Sequence, residues 1–368
     1  MKFLHTADWQ IGMKADHVGA AADKVREQRL EAVRRLVNIA KENAVEFVLV
    51  AGDLFEDNGV DRTMILKTAD LLGSCGRPVF LIPGNHDPLV PGSVWSHFAW
   101  ASWPNLHVLG EEKAEEIPGG VLYPCPIRDK YSTEDPTAWI PAGSSDAIRL
   151  GIAHGNVEGL LKADPDHPIP RNAAERTKLD YLALGHWHST ATYPDSAGVA
   201  HMAYCGTPET SSFGERDSGN ILLVEIDSPG ASPRIQAIRT GELRWETQTC
   251  EIRAGGDLGS IRSKIEAIQD PINLLLELEL TGVLHTADIQ DLKKLEDILT
   301  SRFLYSRMES TKLRPAPEDN SWIDNLPAGV IREAAGRLQQ IASSEREDAS
   351  IAARALLELY VIAKEVAP

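Results

Sequence analysis

Five apolar runs in this chain each end in a short polar cluster, and that repetition constrains the fold more than any bulk property. Asp8-Trp9-Gln10 follows KFLHTA, Gly52-Asp53 follows EFVLVA, and Gly84-Asn85-His86-Asp87 follows PVFLIP. His154-Gly155 follows LGIA, and Gly185-His186-Trp187-His188 follows DYLAL. Short apolar runs closed by Gly or polar residues read as buried strands. In open α/β sheets, functional groups gather outside the carboxyl ends of such strands. The five clusters therefore describe one mouth of a sheet filled with carboxylate, amide and imidazole groups.

The segments between the clusters supply helices. ADKVREQRLEAVRRLVNIAKENA places Val25, Leu30, Val33, Leu36, Val37 and Ala40 at near-helical spacing. RTMILKTADLLGSCG reads as a second helix, closed by Gly73 and Gly76 before Pro78. Strand, helix, strand, helix, strand is the signature of βαβ crossovers. NLHVLG and GVLYPCPI read as strands of a second sheet, and AYCGTPETSSFGERDSGNILLVEI as a closing pair of strands. SPGASPR at 228–234 reads as a hairpin turn.

After RWETQTCEI the pattern changes to helix, strand, helix, strand, which suggests a small α/β domain. RPAPEDNSW is a connector, and two helical patterns follow it. The last carries Ile351, Ala355, Leu356, Leu359 and Ile362 on one stripe, which either packs on its own protein or docks a partner. The expected divisions are 1–240, 241–312 and 313–368.

Bulk properties narrow the setting. At 368 residues the chain can hold roughly two to three domains. No stretch approaches the roughly 18 apolar residues of a membrane span, and MKFLHTA has no signal-peptide core, so the expectation is a cytoplasmic protein with no membrane partner. Cys75, Cys125, Cys205 and Cys250 are scattered singly and read as small buried hydrophobes in a reducing compartment. No GxxxxGK[ST] phosphate loop is present, so ATP hydrolysis is not expected of this chain. The net charge of −17 opposes strong, sequence-independent DNA binding by the chain alone.

Gly-Asn-His-Asp and Gly-His-x-His carry the most specific chemistry. Three consecutive polar side chains crowd one tight turn in the first, and two imidazoles project to one side of an extended segment in the second. Carboxylate, amide and imidazole together suit Mn²⁺, Fe or Zn²⁺ without a soft thiolate. The order Asp8, Gly-Asp, Gly-Asn-His-Asp, His-Gly, Gly-His-x-His resembles the calcineurin-like metallophosphoesterase superfamily over residues 1–190. REQRLEAVRRL, VLVAGDLFEDN, IPGNHDP, LHVLG, LALGHWH and YCGTPETSSFGE resemble more narrowly its SbcD-type repair nucleases, and this resemblance reaches about residue 310.

The resemblance implies an α/β fold. It is a four-layer sandwich of two central sheets flanked by helices, with a small α/β capping domain and C-terminal helices. It implies two divalent metal ions, Mn²⁺ first among Mg²⁺, Fe and Zn²⁺. Asp8, Gln10, Asp53 and His188 would surround one, and Asp53 would bridge to a second held by Asn85, His154 and His186. His86 would be the catalytic residue facing the phosphate, with Asp87 orienting its turn. The implied activity is DNA exo- or endonuclease action in repair, with an SbcC-type coiled-coil ATPase as partner and a dimer through the phosphoesterase domain.

Position 10 departs from the pattern, which has His where this chain has Gln10. An amide oxygen is a weaker ligand than imidazole for these metals. Two other readings share the same residues. One is a small-molecule phosphodiesterase or phosphatase, favoured by the acidic charge. The other is a metal-poor scaffold that recruits an ATPase, of which Gln10 would be the first sign. His5 reads as a packed core or edge residue. His17, His97, His107, His167 and His201 lack ligand spacing and read as surface or structural.

Overall fold

Strands β1 (Lys2–Thr6) and β2 (Phe47–Ala51) are buried on both faces, and the alternation of their side chains builds two separate cores. Phe47, Leu49 and Ala51 point to one side of β2, while Val48 and Val50 point to the other. Helices α1 (Ala22–Glu42) and α2 (Arg62–Gly73) cover the Val48–Val50 side with Val33, Leu36, Val37 and Leu72. The α2 N-terminus is capped by Asp61, whose carboxylate accepts from Thr63 N at 2.6 Å. Strands β3 (Val79–Ile82) and β4 (Leu106–Val108) extend the sheet in parallel. The computed structural model describes residues 1–143, 146–159, 166–317 and 319–366.

A second sheet contains β5 (Glu115–Ile117), β6 (Gly120–Cys125), β7 (Ile148–His154), β8 (Tyr181–Gly185), β9 (Ala191–Pro194) and β10 (Ala200–Tyr204), in the order β5-β6-β7-β8-β10-β9. A short helix, α3 (Ala173–Thr177), packs Ala173 and Ala174 into the outer core of that sheet. The chain then returns to the first sheet through the hairpin of β11 (Asn220–Glu225) and β12 (Arg234–Arg239), giving the order β12-β11-β1-β2-β3-β4. The inner faces meet through Phe3, Phe47, Phe80, Leu122, Leu150, Ile152 and Tyr181. Phe3 and Phe47 stack with centroids 5.0 Å apart, and the Tyr181 ring meets Phe3 edge-on. Helices, sheet, sheet and helix make four layers.

Two details differ from the sequence reading. The five polar clusters sit at the ends of strands in two sheets, not one: β1, β2 and β3 carry three, while β7 and β8 carry two. Both sheets are buried on both faces at these strands, so the runs look alike and their apolar pattern does not assign them. Similarly, NLHVLG pairs with β3 in the first sheet, and the two strands of the closing segment lie in different sheets.

The chain divides into two compact units, Met1–Arg244 and Trp245–Pro368. The second is built on three strands, β13 (Arg244–Ile252), β14 (Leu274–Leu284) and β15 (Tyr305–Pro315), with β14 in the middle and parallel to β15. One face of β14 presents Leu274, Leu276, Leu278 and Leu280. Leu258, Ile261 and Ile265 of α4 (Asp257–Glu266) and Leu295 and Leu299 of α5 (Ile289–Arg302) cover it. Helices α6 (Val330–Ala342) and α7 (Ala349–Val366) pack on each other through Ala335, Leu338, Leu356 and Leu359, while Ile351 and Ile362 remain exposed. No helix among the described residues is long and apolar enough to cross a membrane.

Candidate metal centre

Each cluster sits on the turn that leaves its strand, and the backbone there is unusual. Asp8, Gln10, Asp53 and His186 all have positive φ, at 56°, 42°, 52° and 105°. Such conformations in non-glycine residues cost of order 1–3 kcal/mol each and persist where the surroundings impose them. Here the turns brace one another. Asp8 N donates to Gly52 O at 3.1 Å and Gln10 N to Asp53 O at 3.0 Å. His186 N donates to both Asp8 carboxylate oxygens, at 2.9 and 3.1 Å, which ties the end of β8 to the end of β1. His86 N donates to Asp53 Oδ1 at 2.9 Å.

The side chains converge on one point. His154 Nε2 lies 2.8 Å from Asn85 Oδ1 and 3.3 Å from Asp53 Oδ2, and His186 Nδ1 lies 3.1 Å from the same amide oxygen. Ligand atoms of Asp53, His154 and His186 all fall within 4.8 Å of one another. The Nδ1–H of His154 donates to the Ala51 carbonyl at 2.9 Å, because a carbonyl can only accept. In the neutral ring this leaves a lone pair on Nε2, aimed at a carboxylate and an amide oxygen. Electron-pair donors at these separations repel unless a proton or a cation sits among them.

The electrostatics agree. Burial opposes charge on Asp53, but His154 and His86 overcome it and hold the carboxyl below its ordinary range. Burial likewise opposes charge on His154, and Asp53 outweighs it and raises the imidazole. Asp8 is raised by burial, in spite of His154 and His188. His186 runs the other way: burial and the neighbouring His154 lower it to about 3, so its ring is neutral and keeps a lone pair. Around Asp53 and His154 the pocket thus favours positive charge. A divalent cation fits it, because carboxylate, amide oxygen and imidazole are all present and His154 has the outward N–H contact usual for metal-bound histidine.

His188 joins this site from its edge. Its Nδ1 is 2.9 Å from Glu215 Oε1, which keeps the imidazole raised against burial, and Asp8 adds to that effect. Gln10 is buried, and its backbone N–H ties its turn to Asp53. His86 is held by Nδ1, 2.9 Å from Glu56 O. Asp87 braces its own turn by accepting from Gly84 N at 2.8 Å and Phe55 N at 2.9 Å. Gly84 is required at this close approach: a Cβ there would stand 2.2 Å from Asp53 Oδ1 and 2.3 Å from Asp53 N.

Two contributors were missed by sequence reasoning. Arg29 is buried on the core stripe of α1, where its Nη1 donates to Trp9 O inside the first cluster. Its Nε and Nη2 have no hydrogen-bond partner among the described residues, while Glu215, Glu209, Glu56 and Asp8 surround it with negative charge. A signal existed: position 29 falls on the Val25, Ala32, Leu36 stripe, where a charge is out of place. Glu215 is the other: it closes the YCGTPETSSFGE segment, but nothing in the spacing there links it to His188.

Comparison with known proteins agrees with this geometry. Residues 1–190 match the calcineurin-like phosphoesterase family. This chain belongs to that family. The phosphoesterase is 24% identical over 340 residues to the SbcD component of the SbcCD nuclease of Bacillus subtilis, covering 80% of this chain and 83% of that one. It is 25% identical over 338 residues to the corresponding nuclease component of Escherichia coli, covering 79% and 80%. A third relative is the uncharacterized metallophosphoesterase YhaO of Bacillus subtilis, 24% identical over 280 residues and covering 72% and 67%. Among solved structures, TT1561 of Thermus thermophilus aligns with 65% of this chain and 98% of its own, at TM-score 0.42 and 10% identity.

Proposed function

We propose that this phosphoesterase is a metal-dependent DNA nuclease that cuts phosphodiester bonds. The observation that carries the reading is the convergence of Asp53, Asn85, His154 and His186 beside His86. Asp8, Gln10, Asp53 and His188 would hold one cation, and Asp53, Asn85, His154 and His186 the other, with Mn²⁺ the first candidate. A pair of divalent cations supplies charge neutralisation for the attacking and leaving oxygens of an in-line displacement. The chain's own residues set the stage for it. Ala51 O and Glu215 fix the rings of His154 and His188, so the opposite nitrogens face inward. Glu56 O fixes the His86 ring and leaves Nε2 as the nitrogen to meet the phosphate or the departing oxygen.

Similarity to the SbcD components over about four fifths of both chains favours DNA as the substrate and an SbcC-type ATPase as the partner. In this reading the small α/β unit selects DNA ends and the tail helices receive the partner, in a cytoplasmic, dimeric complex. A small-molecule phosphodiesterase is the second reading, favoured by the net charge of −17. The test is Mn²⁺-dependent hydrolysis of linear DNA by the wild type and by His86→Ala. Hydrolysis lost in the variant with metal content unchanged supports the proposal. Inactivity on every DNA substrate, with turnover of a small diester, selects the second reading.

A further inference from the structure

Beside His186 and His188 lies an open recess of about 640 Å³, whose walls are aromatic where a nucleic-acid site would ordinarily be basic. Tyr131, Trp187 and Phe213 line it; no lysine or arginine is among its described lining residues, although Lys130 holds Nζ 5.8 Å from the Tyr131 centroid. We propose that this recess binds an unpaired nucleobase of the nucleotide whose phosphodiester is cut. The inference rests on the phosphodiesterase reading and specifies the substrate that fits it.

Three observations carry it. First, the aromatic residues are held there by construction. Tyr131 is 73% exposed, yet its loop is pinned: Ser132 N donates to Asp166 Oδ1 at 3.1 Å, and His167 N donates to Ser132 O at 2.7 Å. Phe213 rides a loop curled around Glu215, which accepts from Ser211 N and Ser211 Oγ at 2.8 and 2.5 Å. Trp187 is anchored at its back by the outer core of the second sheet. Second, Trp187 stands between two candidate metal ligands in sequence, so a base stacked there keeps its phosphate close to the cations. Third, the carboxylates Asp166 and Glu215 on the same wall repel phosphate, so the recess suits the uncharged base and not the backbone.

Every base has a π-face, so such a platform is tolerant of sequence. A fully paired duplex keeps its bases inside the stack and cannot use it. The base could arrive on a single-stranded or frayed DNA end, or on a small nucleotide diester.

The test is a cycle of two substrates and two proteins. Wild type and the double variant Tyr131→Ala/Phe213→Ala are given Mn²⁺ and single-stranded oligonucleotides that carry either a base or an abasic residue at the cleaved position. In the wild type the base-bearing strand should be favoured in kcat/KM by roughly tenfold, the scale of one stacked base. In the variant that ratio should fall towards one. Tyr131→Leu alone should give an intermediate ratio. Equal ratios in the two proteins, or no preference in the wild type, overturn the recess while leaving the phosphodiesterase reading intact when the variant also leaves KM for a 3′,5′-cyclic nucleotide unchanged. A 3′,5′-cyclic nucleotide arm identifies the source: variant-sensitive KM there, without sensitivity on oligonucleotides, supports the recess with a small nucleotide as its occupant. No hydrolysis of any diester overturns the parent reading and the recess together.

Discussion

Single residues decide how strongly this centre holds its metals. Gln10 offers an amide where the related pattern has imidazole, and Arg29 brings a buried positive charge to the turn that carries it. In the proposed centre both would act against a cation in the half that Gln10 serves. Gln10→His should therefore tighten that half by at least the roughly tenfold that lesser changes around metal ligands produce. Mn²⁺ titration followed by metal counting per chain measures it, and unchanged stoichiometry and affinity would show that the amide suffices. His5 makes a separate prediction about stability. Burial keeps it neutral, with its pKa down at about 3 from an ordinary 6.5, while Nδ1 meets Tyr181 Oη at 2.9 Å. The unfolded chain takes up this proton first, so the native state loses stability as pH falls from 6.5 towards 3. In urea unfolding, the stability difference between wild type and His5→Gln should shrink by about 1.4 kcal/mol between pH 7.5 and 5.5. A difference that stays constant would falsify this assignment.

At the scale of elements, the strand-end turns were the most legible part of the sequence. Apolar runs closed by Gly and polar residues placed β1, β2, β3, β7 and β8, and the helical stripes placed α1 and α2. What stayed illegible has physical reasons. A strand buried on both faces does not declare which sheet it joins, so five clusters that end strands of two sheets read as the mouth of one. Arg29 was overlooked because the stripe on α1 was traced through apolar residues alone, Leu30 among them, although Leu30 is only partly buried and Arg29 beside it is buried. Glu215 touches His188 across 27 residues, a contact that only the folded chain creates. The turn after β3 gives the prediction at this scale. In Gly84→Ala the new methyl meets Asp53 backbone as well as its carboxylate, so the turn must shift. We expect a loss of about 1–3 kcal/mol, the usual cost of overpacking, together with weaker metal retention. Thermal unfolding with and without Mn²⁺ checks both parts.

At the scale of the whole molecule the chain forms two compact units. All the candidate ligands, His86 and the aromatic recess belong to Met1–Arg244, whose two sheets share a continuous inner core. A fragment ending at Arg244 should fold cooperatively, retain Mn²⁺ and hydrolyse a small chromogenic diester at close to the full-length rate. Its action on DNA ends should be lost, since in the proposed function end selection lies in Trp245–Pro368. Calorimetry and the two assays, run side by side, test this division. Equal activity on DNA by fragment and full chain would remove the end-selecting role of the second unit.

The hydrogen bonds from His186 N to the Asp8 carboxylate have a mechanical consequence. Asp8, Asp53 and Asn85 hang from one sheet, whereas His154 and His186 hang from the other. A cation held by both sets would act as a rivet through two plates. It binds only while the plates are in register, and by mass action it resists their sliding. Shear between the layers would therefore disarm the centre before either sheet came apart.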